Sequence, residues 1–123
     1  MVRPSCPALV VHGEDAFRKS LIATLDQHHF TVTITTDGDD AVARLEKRKF
    51  AVVIVELNLK TGIGTRTLDH LSAPKGARDF AVIVVGDPDP RLRTYAPWAD
   101  ETLLKPVDPG YLVTRALAYC NRA

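Results

Sequence analysis

The sequence predicts a doubly wound α/β domain, in which helices cover both faces of a central parallel sheet. Segments typical of strands and of helices alternate five times along the 123 residues, as connections between parallel strands require. Two strand segments, residues 50–55 and 80–85, are apolar throughout, which is typical of strands buried on both faces. Residues 30–35 alternate between apolar residues and threonine, which is typical of an edge strand.

The first half of the chain contains two strand–helix pairs. The segment "ALVV", residues 8–11, predicts the first strand, and Glu14 or Asp15 is positioned to cap the helix that follows. In residues 30–35 the apolar side chains are expected on the buried side and the threonines on the other. The segment "TDGDDAVARLEKRK" then has acids first and bases last, as the helix dipole favours. The residues expected to face the core in this half are Phe17, Leu21, Leu25, Phe30, Val32, Ile34, Ala41, Val42 and Leu45.

The second half continues the alternation with shorter helices. A glycine-punctuated loop follows residue 57, and residues 67–71 form a short helical piece. Another short helix is predicted between Pro90 and Pro97, and residues 101–104 form a brief strand. Asp108 is expected to cap the last helix, with Pro109 at its first position. That helix places Val113, Ala116, Leu117 and Cys120 on one face.

Composition limits the classes of function. The chain is 46% hydrophobic and 25% charged with a net charge of +1, which is ordinary for a soluble domain. This charge gives no electrostatic signature for binding to nucleic acid or to an anionic membrane. No apolar run approaches the length of a membrane-spanning helix. Cys6 and Cys120 lack CxxC spacing, and we expect them to be reduced thiols in a cytoplasmic protein. A bridge between them is the alternative, which the sequence gives no reason to expect. We expect one domain over residues 1–123, with residues 1–7 as a tail.

An edge position for the second strand favours the flavodoxin-like strand order 2-1-3-4-5. Ligands of such sheets bind beyond the carboxyl ends of the strands, where the strand order reverses. Glu56 is expected at this mouth, and Lys105 follows the fifth strand closely enough to reach it. The residues expected around the mouth are His12, Gly13, Glu14, Glu56, Gly86, Asp87, Lys105 and Pro106.

Five segments in this order resemble the receiver domain of response regulators, from about Ala8 to Cys120. The segments are "VVHGED", "TTDGDDAVARL", "VVIVELNLKTGIG", "VIVVGDP" and "ADETLLKPVD". The resemblance implies the CheY-like fold and a place in bacterial two-component phosphorelay signalling. It also implies a site made of an acidic pair that holds Mg²⁺, a phosphoaccepting aspartate, a hydroxyl residue, a switch aromatic and a lysine followed by proline.

Most of these positions depart from the pattern of the family. His12 and Gly13 occupy the acidic-pair positions, and Glu56 occupies the position of the phosphoacceptor. Gly86 replaces the hydroxyl residue and Thr102 replaces the switch aromatic, while Lys105 and Pro106 match. A hard divalent cation requires oxygen ligands and tolerates imidazole poorly. We therefore expect no cofactor, with Mg²⁺ binding weak or absent.

The departures predict a pseudo-receiver that works through protein–protein contacts, independently of phosphorylation, and is not an enzyme. Its expected partners are a histidine kinase or an output domain, with a homodimer as a further candidate, and neither nucleic acid nor membrane. The carboxylate of Glu56 reaches farther than that of an aspartate, toward Lys105, and such a pair would imitate the activated state. The plainer interpretation is a solvated acid left at a decayed site, since exposed ion pairs contribute little.

Two other functions remain open from the sequence. One is a working phosphoacceptor that uses Glu56 or a neighbouring acid such as Glu14 or Asp15. The other is a metal or small-ligand sensor in the same crevice, with His12 as a ligand beside Glu14, Glu56 or Asp87.

Tyr95 and Trp98 form a candidate partner surface, because these residue types are common binding anchors. The plainer interpretation is that they fill the space left by the absent switch aromatic and a shortened fourth helix.

Overall fold

Five parallel strands form one sheet in the order β2-β1-β3-β4-β5. The computed structural model describes residues 5–13, 16–36, 38–57, 71, 79–88, 90, 97 and 99–120. The strands are β1 (Cys6–Val11), β2 (Phe30–Thr35), β3 (Val52–Glu56), β4 (Ala81–Gly86) and β5 (Glu101–Leu104). Within the described ranges the helices are α1 (Ala16–Gln27), α2 (Gly38–Lys47) and α3 (Pro109–Cys120). The doubly wound architecture and strand order expected from the sequence are confirmed.

The two central apolar strands are buried on both faces. Every residue of β3 and of β4 is buried, because successive side chains point alternately into two apolar clusters. Ala41 and Leu45 of α2 belong to the first cluster, while Leu21 of α1 and Leu112 of α3 belong to the second. The sheet is thus the middle layer of three, and each fully buried valine of its strands contributes about 1.5–3 kcal/mol.

Helix α2 has the charge pattern that the sequence predicts. Asp39 and Asp40 lie in its first turn, and Arg44 and Lys47 lie in its last. Arg44 Nε donates a hydrogen bond of 2.8 Å to Asp40 one turn earlier. This hydrogen bond, followed by one from Thr35, holds the pKa of Asp40 below its ordinary value.

Helix α3 begins at the predicted cap. The N–H of Tyr111 donates to the Asp108 carboxylate at 3.0 Å, which satisfies one of the free amides of the first turn. Val113 and Ala116 are buried as expected, and Leu112, which the predicted face omitted, is also fully buried.

The alternation predicted for β2 fails at its carboxyl end. Phe30 is buried, but Ile34 is 39% exposed and Thr35 is only 6% exposed. The prediction that Ile34 faces the core is therefore wrong. Helix α2 begins three residues after Thr35, and the Thr35 hydroxyl hydrogen-bonds Asp40 in its first turn. The start of α2 thus determines which side chain of this strand end is covered.

The prediction that both cysteines are reduced thiols is also wrong. Cys6 and Cys120 form a disulfide across a sequence separation of 114 residues. A helix that returns from the carboxyl end of a parallel sheet runs opposite to the strands, so it ends beside the amino ends of the strands. The last residue of α3 thereby meets the first residue of β1, which itself lies inside the expected N-terminal tail.

Several expectations concern residues outside the described part of the chain. These are the capping by Glu14 or Asp15, the short helices at residues 67–71 and between Pro90 and Pro97, and the side chains of Tyr95 and Trp98. Among the described helices, none has the length and apolar character needed to cross a membrane.

Candidate functional site

The candidate site lies at the carboxyl ends of β1 and β3, where the strand order reverses. β1 ends at Val11, which pairs with Val55 of β3, so His12 and Glu56 follow this pair on neighbouring strands. Glu56 is the last residue of β3 and pairs in turn with Val85 of β4. The parallel register therefore brings His12 and Glu56 together at one edge of the sheet.

The Glu56 carboxylate is buried and has partners on both oxygens. Its side chain is only 8% exposed, and the Lys105 ammonium contacts Oε1 as a hydrogen-bonded ion pair. The backbone N–H of Gly13 donates to Oε2 at 3.4 Å. Nδ1 of His12 lies 3.3 Å from the same oxygen. A carboxylate removed from water requires such partners, so this cluster stabilises its charge.

Lys105 reaches Glu56 because the end of β5 is fixed beside β4. The Lys105 N–H donates to the carbonyl of Gly86 at 2.9 Å, which continues the ladder one step beyond β5. The Lys105 side chain is 25% exposed, and its ammonium contacts the buried carboxylate. The peptide bond between Lys105 and Pro106 is cis.

His12 is a fully buried residue whose Nδ1 faces two oxygen atoms. Its Nδ1 lies 2.9 Å from the carbonyl oxygen of Gly13 and 3.3 Å from the carboxylate of Glu56. Both neighbours are acceptors, so Nδ1 carries the proton and donates it. The ring also packs against Phe17 with 5.4 Å between ring centroids. Nδ1 is therefore engaged as a donor, and the lone pair of this tautomer lies on Nε2.

The described residues of the mouth do not fit Mg²⁺. The ion prefers carboxylates and water in octahedral geometry, whereas the positions of the acidic pair hold an imidazole and a glycine. The carboxylate of Glu56 is already neutralised by Lys105. Among the described residues no three His, Cys, Asp or Glu side chains form a group suited to a metal ion. Glu14 and Asp15 lie outside the described ranges.

The two other substituted positions, Gly86 and Thr102, lie on β4 and β5. Gly86 ends β4 and contributes only its carbonyl, which accepts from Lys105. Thr102 is half-buried on β5, where it pairs with Val84. Asp87 is exposed beside the mouth.

A cavity of about 450 Å³ opens next to the ion pair. Its described lining residues are Phe17, Asp87, Lys105, Pro106 and Val107. The sequence predicted Phe17 only as a core residue and did not predict the hydrogen bond from Gly13 to Glu56. The available signal for the role of Phe17 at the mouth was its position in the first turn of the helix that follows His12.

The sequence and the fold both match known receivers. The sequence model described as "Response regulator receiver domain" matches residues 8–117. The chain is 22% identical over 115 residues to the transcriptional regulatory protein ResD of Bacillus subtilis, covering 94% of this chain and 48% of that protein. It is 24% identical over 114 residues to the transcriptional regulatory protein SrrA of Staphylococcus aureus, covering 93% of this chain and 47% of that protein. The chain thus spans about half the length of these curated relatives.

A solved structure supports the fold independently. The response regulator receiver domain protein (CheY-like) from Methanospirillum hungatei superimposes with a TM-score of 0.80 at 20% identity, covering 95% of this chain and 94% of that one. At this level of identity the likeness concerns the fold alone.

Proposed function

Since the chain belongs to the response regulator receiver domain family of two-component signalling, we propose that it is an atypical receiver that signals without accepting a phosphoryl group. The observation that carries this proposal is the buried contact between Glu56 and Lys105. It joins the acid at the phosphoacceptor position to the lysine that the family pattern retains.

The contact leaves Glu56 poorly suited to act as a nucleophile. One oxygen is held by an ammonium, and the other faces the Gly13 N–H and the His12 imidazole. Attack on a phosphodonor would require the carboxylate to leave these partners while both reacting groups carry negative charge. Phosphoryl transfer depends chiefly on positioning and on neutralisation of that charge. The described residues provide no oxygen-rich metal site to supply it.

The same contact holds the domain in a signalling state without phosphoryl transfer. In the family pattern, the lysine receives the phosphorylated acceptor in the active form. Glu56 carries one methylene more than aspartate and brings a negative oxygen to Lys105 directly. The mouth is thereby held in an arrangement that imitates activation, and the domain presents one surface to its partner constitutively.

We propose that the output is a protein–protein contact in the cytoplasm, with a histidine kinase or an output domain as the partner. Exposed apolar side chains on the last strand and helix support this. Leu104 of β5 is 55% exposed and Tyr111 of α3 is 53% exposed. Aromatic and aliphatic side chains of this kind are common anchors at protein interfaces.

A phosphodonor assay tests the proposal. The domain is incubated with Mg²⁺ and acetyl phosphate, and its intact mass is measured beside a receiver that carries the acidic pair as a positive control. We expect no phosphoryl adduct on the wild type or on Glu56→Asp, because the acidic pair is still missing from the variant. An adduct on the wild type that disappears in Glu56→Gln would establish Glu56 as a working phosphoacceptor and overturn the proposal.

A further inference from the structure

The Cys6–Cys120 disulfide joins the first residue of β1 to the last residue of α3. The two Cα atoms lie 5.8 Å apart, within the range that disulfides require. Both residues are half-buried and pack against the apolar cluster under α1 and α3. Thiol–disulfide exchange needs an attacking thiolate to reach a sulfur atom, and partial exposure leaves this bond within reach.

The two cysteines differ in the backbone structure that holds them. The Cys6 N–H donates to the carbonyl of His29 at 3.0 Å, and Cys6 pairs with Phe30 in the ladder between β1 and β2. Cys120 instead ends α3, where the last carbonyls of a helix have no partner within the helix and terminal turns fray. The disulfide therefore joins the end of a helix to a strand that is hydrogen-bonded within the sheet.

The rest of α3 has its own attachments to the sheet. Arg115 Nε donates to the Glu101 carboxylate at 2.8 Å, and the Tyr119 hydroxyl donates to the same oxygen at 3.0 Å. Leu112 and Ala116 are fully buried on the side of the helix that faces β1 and β3. Loss of the disulfide would therefore loosen the last turn, which keeps the hydrogen bond from Tyr119, while the rest of the helix stays docked.

We propose that Cys6–Cys120 is a reversible thiol–disulfide modification site that fastens the last turn of α3 to β1. Its co-substrate is a small-molecule thiol–disulfide couple. In the oxidising direction, one protein thiolate attacks a small-molecule disulfide, forms a mixed disulfide and releases one small thiolate. The second protein thiolate attacks the protein sulfur of that mixed disulfide, forms the Cys6–Cys120 bond and releases the second small thiolate. The two released thiolates take up the two protons that the protein thiols lost.

The modification site is separate from the Glu56 mouth. Cys6 begins β1 and His12 follows its carboxyl end, so the two positions lie about 20 Å apart along an extended strand. The residues that carry one proposal do not take part in the other. The redox state of the pair instead sets how firmly the end of α3 is held against the sheet.

The first experiment measures the redox equilibrium of the native domain. The protein is equilibrated in buffers with a graded ratio of reduced to oxidised glutathione, without denaturant, and trapped with a maleimide for intact-mass analysis. We expect a single transition from no adduct to two adducts, reached from both the oxidised and the reduced side. If an excess of dithiothreitol leaves the bond intact under native conditions, the disulfide is not reversible. If the two thiols never form a disulfide, the modification site does not exist. Either result overturns the proposal.

The second experiment locates the structural change by amide hydrogen exchange. On reduction, we expect exchange at residues 117–120 to accelerate about tenfold or more, with little change in β3 and β4. Uniform acceleration throughout the sheet, or no change in α3, contradicts a local fastening. The Cys6→Ser/Cys120→Ser double variant should exchange like the reduced wild type and should not respond to glutathione. If this variant does not fold, the comparison of oxidised with reduced wild type still decides between the outcomes.

Discussion

Removing the Lys105 ammonium tests the ion pair at the mouth most simply. In Lys105→Met the apolar stem is retained and the charge is lost, so the Glu56 carboxylate keeps only the Gly13 N–H and the His12 imidazole as described donors. Breaking a fully buried pair costs about 3–5 kcal/mol because one charge is left uncompensated. Lys105 is one quarter exposed, so water compensates in part, and we expect a loss of about 1–3 kcal/mol.

Urea and thermal unfolding measure this loss. For a domain of this size, each kcal/mol corresponds to roughly 4 °C in Tm, so Lys105→Met should melt about 4–12 °C below the wild type. Lys19→Met is the matched control, because Lys19 is an exposed lysine of α1. That control should stay within about 0.5 kcal/mol of the wild type.

A double-mutant cycle separates the pair from its surroundings. Glu56→Gln removes the carboxylate charge, and in Glu56→Gln/Lys105→Met neither charge remains. We expect the double variant to be more stable than the sum of the single effects predicts, by about 1–2 kcal/mol. A coupling near zero, together with a Lys105→Met variant as stable as the wild type, would refute the reasoning, because the contact would then be worth no more than an exposed ion pair.

Three further predictions concern the elements that frame the site. Asp108→Ala removes the acceptor for the Tyr111 N–H and should lower the free energy of unfolding by about 1 kcal/mol, as measured by urea denaturation. Arg44→Gln removes the main cause of the lowered pKa of Asp40, so NMR titration of the Asp40 carboxyl should show that pKa rising toward 3.8, and an unchanged value would contradict the assignment. Burial, and secondarily the hydrogen bond with Glu101, raises the pKa of Tyr119 above 10.0. The unfolded chain then releases the phenolic proton first, so stability should be present below pH 10.0 and decline as the pH rises through the folded pKa. Tyr119→Phe should make that decline shallower in unfolding measurements on either side of this pH.

The sequence predicted the sheet because each of its cues is local. A strand buried on both faces must be apolar throughout, and residues 50–55 and 80–85 are. The alternation of residues 30–35 predicted that β2 lies at the edge of the sheet. The edge position of β2 in turn predicted that the strand order reverses between β1 and β3. The approach of Lys105 to Glu56 followed from the same topology, because the carboxyl ends of parallel strands lie at one edge of the sheet.

The features that the sequence did not predict depend on contacts between distant elements. The end of β2 is covered by the start of α2, so the two-residue period alone gave the wrong orientation for Ile34. The disulfide depends on where α3 ends relative to β1. Its signal was present nonetheless, since Cys6 has the same parity as Ala8 and Val10, which face the cluster that α3 covers. The prediction of reduced thiols considered only the spacing of the two cysteines along the chain and not their positions in the fold.

The hydrogen bond from the backbone of Gly13 to Glu56 is a third example. No side-chain pattern encodes a backbone donor, and its position follows from the way β1 ends beside β3. The chemistry of the mouth therefore depends in part on a residue that has no side chain. The sequence identified this residue only as a departure from the acidic pair of the family.

The most direct test of the central claim is an NMR titration of the amide signals with Mg²⁺ and beryllofluoride, a phosphoryl mimic. If the ammonium of Lys105 already holds the Glu56 carboxylate, the amides of Gly13, Leu57, Asp87 and Lys105 should not shift as the mimic is added. Saturable shifts at these amides that vanish in Glu56→Gln would show that the mouth still accepts a phosphoryl group, and would contradict the account.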